Sequence, residues 1–103
     1  MRTDRELIEL AAKAAGLTVI WSEPFKRYER FNLGKYAGLW DPINDDGDAF
    51  RLAVSLQMEL RVFNGASYAE PFDGEKVWQD GNCPLAVTRR AIVMAAADIG
   101  DQL

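Results

Sequence analysis

The order of patterns along this chain predicts an α+β domain: one small antiparallel sheet of about four to five strands packed with three helices. Three observations carry that expectation. Apolar residues recur at helical spacing near both ends and in the centre of the chain. Between those stretches lie short runs rich in β-branched and aromatic residues, separated by Pro, Gly and Asn-Gly turn signals. With 103 residues, the chain has length for a single globular domain, 1–103, and for one core.

The first helix is expected over about residues 4–15. Thr3-Asp4-Arg5-Glu6 has the form of a capping box. Leu7, Leu10, Ala11 and Ala14 then follow the helical period, Ile8 and Ala15 widen the stripe, and Gly16 stands where a left-handed cap belongs. Leu17–Trp21 reads as a strand that Pro24 ends. Residues 25–40 hold many aromatics, but Gly34 and Gly38 break any helix. They read as a hairpin turning near Asn32-Leu33-Gly34-Lys35, with a strand at about 36–40.

The second helix begins in the acidic cluster, where Asp45 or Asp46 can cap it and Asp48 lies in the first turn. Its stripe is Ala49, Leu52, Ala53 and Leu56, and it ends near Gln57. Leu60–Phe63 and Ala66–Ala69 flank Asn64-Gly65, a strong hairpin signal. Glu75–Gln79 reads as one more strand. The last helix starts at Cys83-Pro84, since proline suits the first helical position, and Gly100 is expected to stop it. The predicted order is α-β-β-α-β-β-β-α.

Composition narrows the chemistry. Net charge is −4, with 16 acids against 12 bases, and the basic clusters Lys26-Arg27 with Arg30 and Arg89-Arg90 are small. That balance argues against a nucleic-acid partner. No apolar run approaches the ~20 residues of a membrane span. Met1–Glu6 lacks the uncharged stretch of a signal peptide, and the single cysteine suggests no oxidising compartment, so the cytoplasm is expected. The chain has no histidine, which excludes a self-contained Ser-His-Asp or Cys-His mechanism.

The remaining candidates each have a plainer reading. Asn44–Asp48 superficially resembles a calcium loop, but neither frame places a glycine at position six or a glutamate at twelve; helix capping explains the acids. Cys83 at a helix N-terminus could be a reactive thiolate. It has no second cysteine or histidine to complete a mechanism, and it reads as an N-cap occupant. The tryptophans and tyrosines belong in the core of a small sheet; were they to line a ligand groove, Trp40, Tyr36 and Arg89 would form it. No glycine-rich phosphate loop is present, and no cofactor or metal is expected.

The last helix carries two apolar faces. Leu85, Ile92 and Ile99 lie on one, and Val87, Ala91 and Met94 on the other, with Arg90 beside them. Such a helix is either sandwiched within the chain or shared with a partner. The expectation is an interface through Val87, Arg90, Ala91 and Met94, either with another protein or in a homodimer; the intrachain alternative places the first helix or the 25–35 segment over them.

A set of motifs resembles a known family. Trp40 followed by Asp41-Pro42, then Asp45-Asp46-Gly47-Asp48-Ala49, then Arg51-Leu52-Ala53-Val54, and finally Pro84-Leu85-Ala86 with Arg89-Arg90-Ala91-Ile92-Val93 is similar to the NinX-like small proteins of tailed phages and prophages. The resemblance spans the first helix, the centre and the last helix; residues 58–82 match nothing in it. Where related sequences tend to place an acid before Pro-Leu-Ala, this chain has Cys83. The resemblance implies a phage or prophage origin and an accessory role in the bacterial host cytoplasm, with no catalytic residues to transfer. The expected function is therefore non-enzymatic binding to a host or phage protein. The rival expectations are a protein that sequesters a nucleotide or other small metabolite between subunits, and a weak hydrolase using carboxylates.

Overall fold

A computed structural model describes residues 2–103. The elements are α1 (Asp4–Ala15), β1 (Thr18–Ser22), β2 (Arg27–Asn32), β3 (Lys35–Trp40), α2 (Asp46–Ser55), β4 (Glu59–Phe63), β5 (Ala66–Glu70), β6 (Val77–Asp80) and α3 (Pro84–Asp101). The α+β class is as expected, with three helices. The sheet is not. The strands form two separate three-stranded antiparallel sheets, β1-β2-β3 and β4-β5-β6.

Residues 27–32 supply the extra strand. Their charged residues conceal a partly buried strand: Tyr28 is buried in register between Trp21 of β1 and Trp40 of β3, Glu29, Arg30 and Phe31 are half-buried, and Arg27 and Asn32 are exposed. The β2–β3 hairpin turns where expected. Leu33 and Gly34 both have positive φ, 52° and 80°, the combination that a type I′ turn requires. A bulge at Ala37-Gly38 interrupts the pairing between Glu29 and Phe31, and Gly38 has φ 106°.

The expected cap of α1 is present in full. Thr3 Oγ1 accepts from the Glu6 amide at 3.1 Å, Glu6 reaches back to the Thr3 amide at 3.0 Å, and Gly16 closes the helix at φ 70°. Those hydrogen bonds to Thr3 hold the Glu6 carboxyl below its ordinary pKa.

α3 is the central element, which explains why the chain makes two sheets. It packs on the β4-β5-β6 sheet, on α1 and on α2, while the β1-β2-β3 sheet packs on the far side of α1. With α1 and α3 between them, the edges of the two sheets cannot meet. Ser67 of β5 bonds Thr88 of α3 at 2.9 Å, and Arg90 pairs with Asp4 of α1 at 3.1 Å.

The predicted interface face of α3 is consequently internal. Val87 is 8% exposed and Ala91 fully buried, Met94 packs partly against the core, and Arg90 is engaged by α1. A β-carbon on Gly81, just after β6, would lie 2.7 Å from Val87. The patch thus meets the chain's own sheet, whereas Leu85, on the opposite face of the helix, is 61% exposed. Helical periodicity had separated the faces correctly without saying which neighbour each would meet.

Gly100 also has a different role. The helix runs through it to Asp101. A β-carbon there would lie 1.9 Å from the Leu10 carbonyl oxygen, so its bare backbone is what lets α1 and α3 approach.

Candidate functional site

The acidic stretch builds the corner from which the site extends. Asp45 is the N-cap of α2, accepting from the Asp48 amide at 2.8 Å. Asp48, 7% exposed, accepts from the Asp41 amide at 3.0 Å and from Arg51 at 2.8 Å. Asp41 takes the Asn44 side chain at 3.0 Å. Asp46 pairs with Arg89 at 2.6 Å, and the same guanidinium donates to the Ile43 carbonyl at 2.7 Å. All four acids are therefore used in fixing the start of α2 and latching it to α3 through Arg89.

That latch opens a cleft of about 220 Å³ between α2, α3 and β4. Ala49, Leu60 and Ile92 line it with carbon, and the Asp46–Arg89 pair closes one end. Its rims are Phe50 of α2, 64% exposed, and Leu85 of α3. Leu60 and Val62 of β4 lie opposite Ala69 and Ser67 of β5, and Ser67 bonds α3. The Leu60 and Val62 side chains thus share the face that carries the cleft, and Val62 is 55% exposed. β4 itself is the edge of its sheet.

The opposite face of this sheet is aromatic and charged. Phe63 and Trp78 stack with centroids 5.8 Å apart, and Tyr68 lies under Trp78 at 5.0 Å. Arg61 stands over the Phe63 ring at 5.4 Å, and Lys76 over Tyr68 at 5.1 Å. Glu59 and Glu70 face each other in register. The Tyr68 hydroxyl donates to Glu59, and this bond to a carboxylate raises the phenol's pKa above its ordinary value.

The three residues expected in a ligand groove are not brought together. Trp40 is 2% exposed and sits in the core with Tyr28, by Ile8 and Ile43. Tyr36 stands on the outer face of β3, edge-on to Phe31. Arg89 belongs to the cleft. Trp40 is thus a packing residue, as the core reading expected. The expectation missed Phe50, Leu60, Val62 and Leu85. Phe50 carried a signal, being a large apolar residue off the Ala49–Leu52–Ala53 stripe of its helix. Cys83 does occupy the N-cap of α3, exposed and with no side-chain hydrogen bond to the helix.

Larger hollows are more polar. The one at the C-terminal end of α3, about 720 Å³, is rimmed by Asp73, Glu75, Asp98 and Asp101, and Arg2 ties the last two at 3.0 and 2.8 Å. Among the described residues no helix is long and apolar enough to cross a membrane.

Fold and site together define a small α+β domain that presents an apolar cleft beside an open sheet edge. Compared with known proteins, the chain matches no family model, no curated protein and no solved structure.

Proposed function

We propose that this protein works by binding another protein, without catalysis, and that the cleft between α2, α3 and β4 is where it does so. The observation that carries the reading is the grouping of Phe50, Leu60 and Leu85 around one apolar hollow, with Phe50 and Leu85 each more than half exposed and Val62, 55% exposed, further along the same face of β4. A folded domain keeps large apolar side chains together at its surface chiefly where something covers them. The resemblance of Trp40–Val54 and Pro84–Val93 to NinX-like proteins extends the proposal: the chain is a phage or prophage accessory protein, and its target is a protein of the host.

Phe50→Ser with Leu85→Ser tests this, because both side chains are mostly solvated and their loss leaves the core intact. Tagged wild type and double variant are each passed over bacterial lysate, with circular dichroism confirming equal folding. A protein retained by wild type and lost by the variant supports the proposal. Retention of the same proteins by both overturns it.

A further inference from the structure

The edge beside the cleft has a defined hydrogen-bonding pattern. Asn64 and Gly65 alone separate Phe63 from its register partner Ala66, so these two form a hydrogen-bonded pair. In an antiparallel ladder such pairs alternate, which makes Arg61–Tyr68 and Glu59–Glu70 hydrogen-bonded as well. Leu60 and Val62 therefore turn their N–H and C=O groups away from β5, toward the open edge. Their side chains share the α3 side of the sheet, where Leu60 lines the cleft. Arg61, between them, points to the other face. Among the described residues its guanidinium joins no ion pair and rests only over Phe63.

Building on the protein-binding reading, we propose that the occupant is an extended segment of the partner that adds to β4 as a further strand. Its apolar side chains at alternate positions enter the cleft, and an acidic residue between them lies opposite Arg61. Unpaired backbone groups at Leu60 and Val62 supply the main-chain bonds, and the cleft reads alternate side chains, the two elements of strand addition. The cleft, at about 220 Å³, is small for the several anchors of a docked helix and suits side chains delivered singly from a strand.

The charge on Arg61 chooses between partners. Two copies of β4 pairing about a dyad, with Leu60 and Val62 exchanging bonds, would set each Arg61 directly opposite its twin. Like charges in that position destabilise a sheet, and an edge-strand charge is a common guard against self-pairing. An acidic residue in the same place is favourable. In that register the site disfavours a second copy of this chain and favours an apolar–acidic–apolar strand; the concentration dependence of amide protection tests the other self-pairing register, in which Arg61 would face Glu59 of the second copy.

The probe is a capped synthetic peptide, Ser-Thr-Val-Glu-Val-Thr-Ser, and a counterpart with Lys in place of Glu. Amide exchange measured by NMR should show new protection at Leu60 and Val62 when the Glu peptide is bound. Arg61→Glu should weaken that peptide about tenfold, since a favourable cross-strand pair becomes an unfavourable one of similar size. The same variant should bind the Lys peptide more tightly than wild type does. The proposal is overturned if the Glu peptide does not bind, if it binds without protecting those two amides, or if its affinity ignores Arg61→Glu. Protection of the same amides that rises with protein concentration alone would show a second copy as occupant and overturns it too. If the lysate partner is still lost with Phe50→Ser and Leu85→Ser, only the strand mode has failed; if capture survives that variant, the binding reading itself has failed.

Discussion

Trp40 and Cys83 show how far a single residue can be judged from its neighbours in the chain. Trp40 ends β3 immediately before Asp41-Pro42, and the turn folds its indole onto the core beside Tyr28. At 2% exposed it is one of the largest fully buried side chains. Trp40→Ala is expected to destabilise the protein by about 3–5 kcal/mol, read as the free energy of urea unfolding. A variant with unchanged unfolding would show that the indole contributes no packing. Cys83 presents the opposite case, an available gain. Its backbone, φ −109° and ψ 103°, has the extended form of an N-cap, yet its side chain makes no bond to the helix. Cys83→Asp supplies an acceptor for the first-turn amides and a negative charge at the positive end of the dipole. The substitution is expected to stabilise by about 1 kcal/mol. Thermal melting at neutral pH and low salt checks it; a lower melting temperature would mean that the thiol contributes packing the aspartate cannot.

At the scale of elements, the contact between α1 and α3 is the structural axis. Val93, Ala96 and Ala97 have no exposed surface and recur at helical spacing with the buried Gly100 on α3, and the Leu10 carbonyl of α1 sits against Gly100. Helix propensity alone favours Gly100→Ala by about 1 kcal/mol. The β-carbon's overlap with a backbone carbonyl opposes that gain, because neither partner can rotate away. The expected outcome is a loss of about 3 kcal/mol in urea unfolding, toward the upper end for overpacking. A gain in stability would show that the two helices have room to separate. The same axis accounts for the lost interface. Val87 and Ala91 face the β4-β5-β6 sheet, Arg90 and Gly100 face α1, and Arg89 and Ile92 face α2. A helix contacted on three sides needs apolar residues beyond one stripe, so its second apolar face required no second molecule.

Over the whole molecule, 39 × 27 × 25 Å, the stacking of sheet, α1, α3 and sheet gives the long dimension and keeps the two sheets apart. Local features were legible in the residues. The capping box of Thr3 and Glu6, the Asp45 cap, Gly16, the Leu33-Gly34 turn and Pro84 at the start of α3 all involve groups within a few positions of each other, so composition and spacing determine them. Periodicity likewise determined that α3 has two apolar faces. Of the candidate site, the sequence reading named only Arg89; Phe50, an apolar residue off its helix's buried stripe, carried a signal that went unread, because a cleft is made of surfaces that three separate elements bring side by side. Sequence by itself thus determined the three helices, five of the six strands, the caps at Thr3, Gly16 and Asp45, and the α+β class. Tertiary structure decided that the strands divide into two sheets, that Val87 and Ala91 turn inward while Leu85 turns outward, and that β4 is left with an open edge beside a hollow. The physical reason is that a helical or strand period specifies the angle between faces of one element, whereas burial depends on which other element arrives at each face.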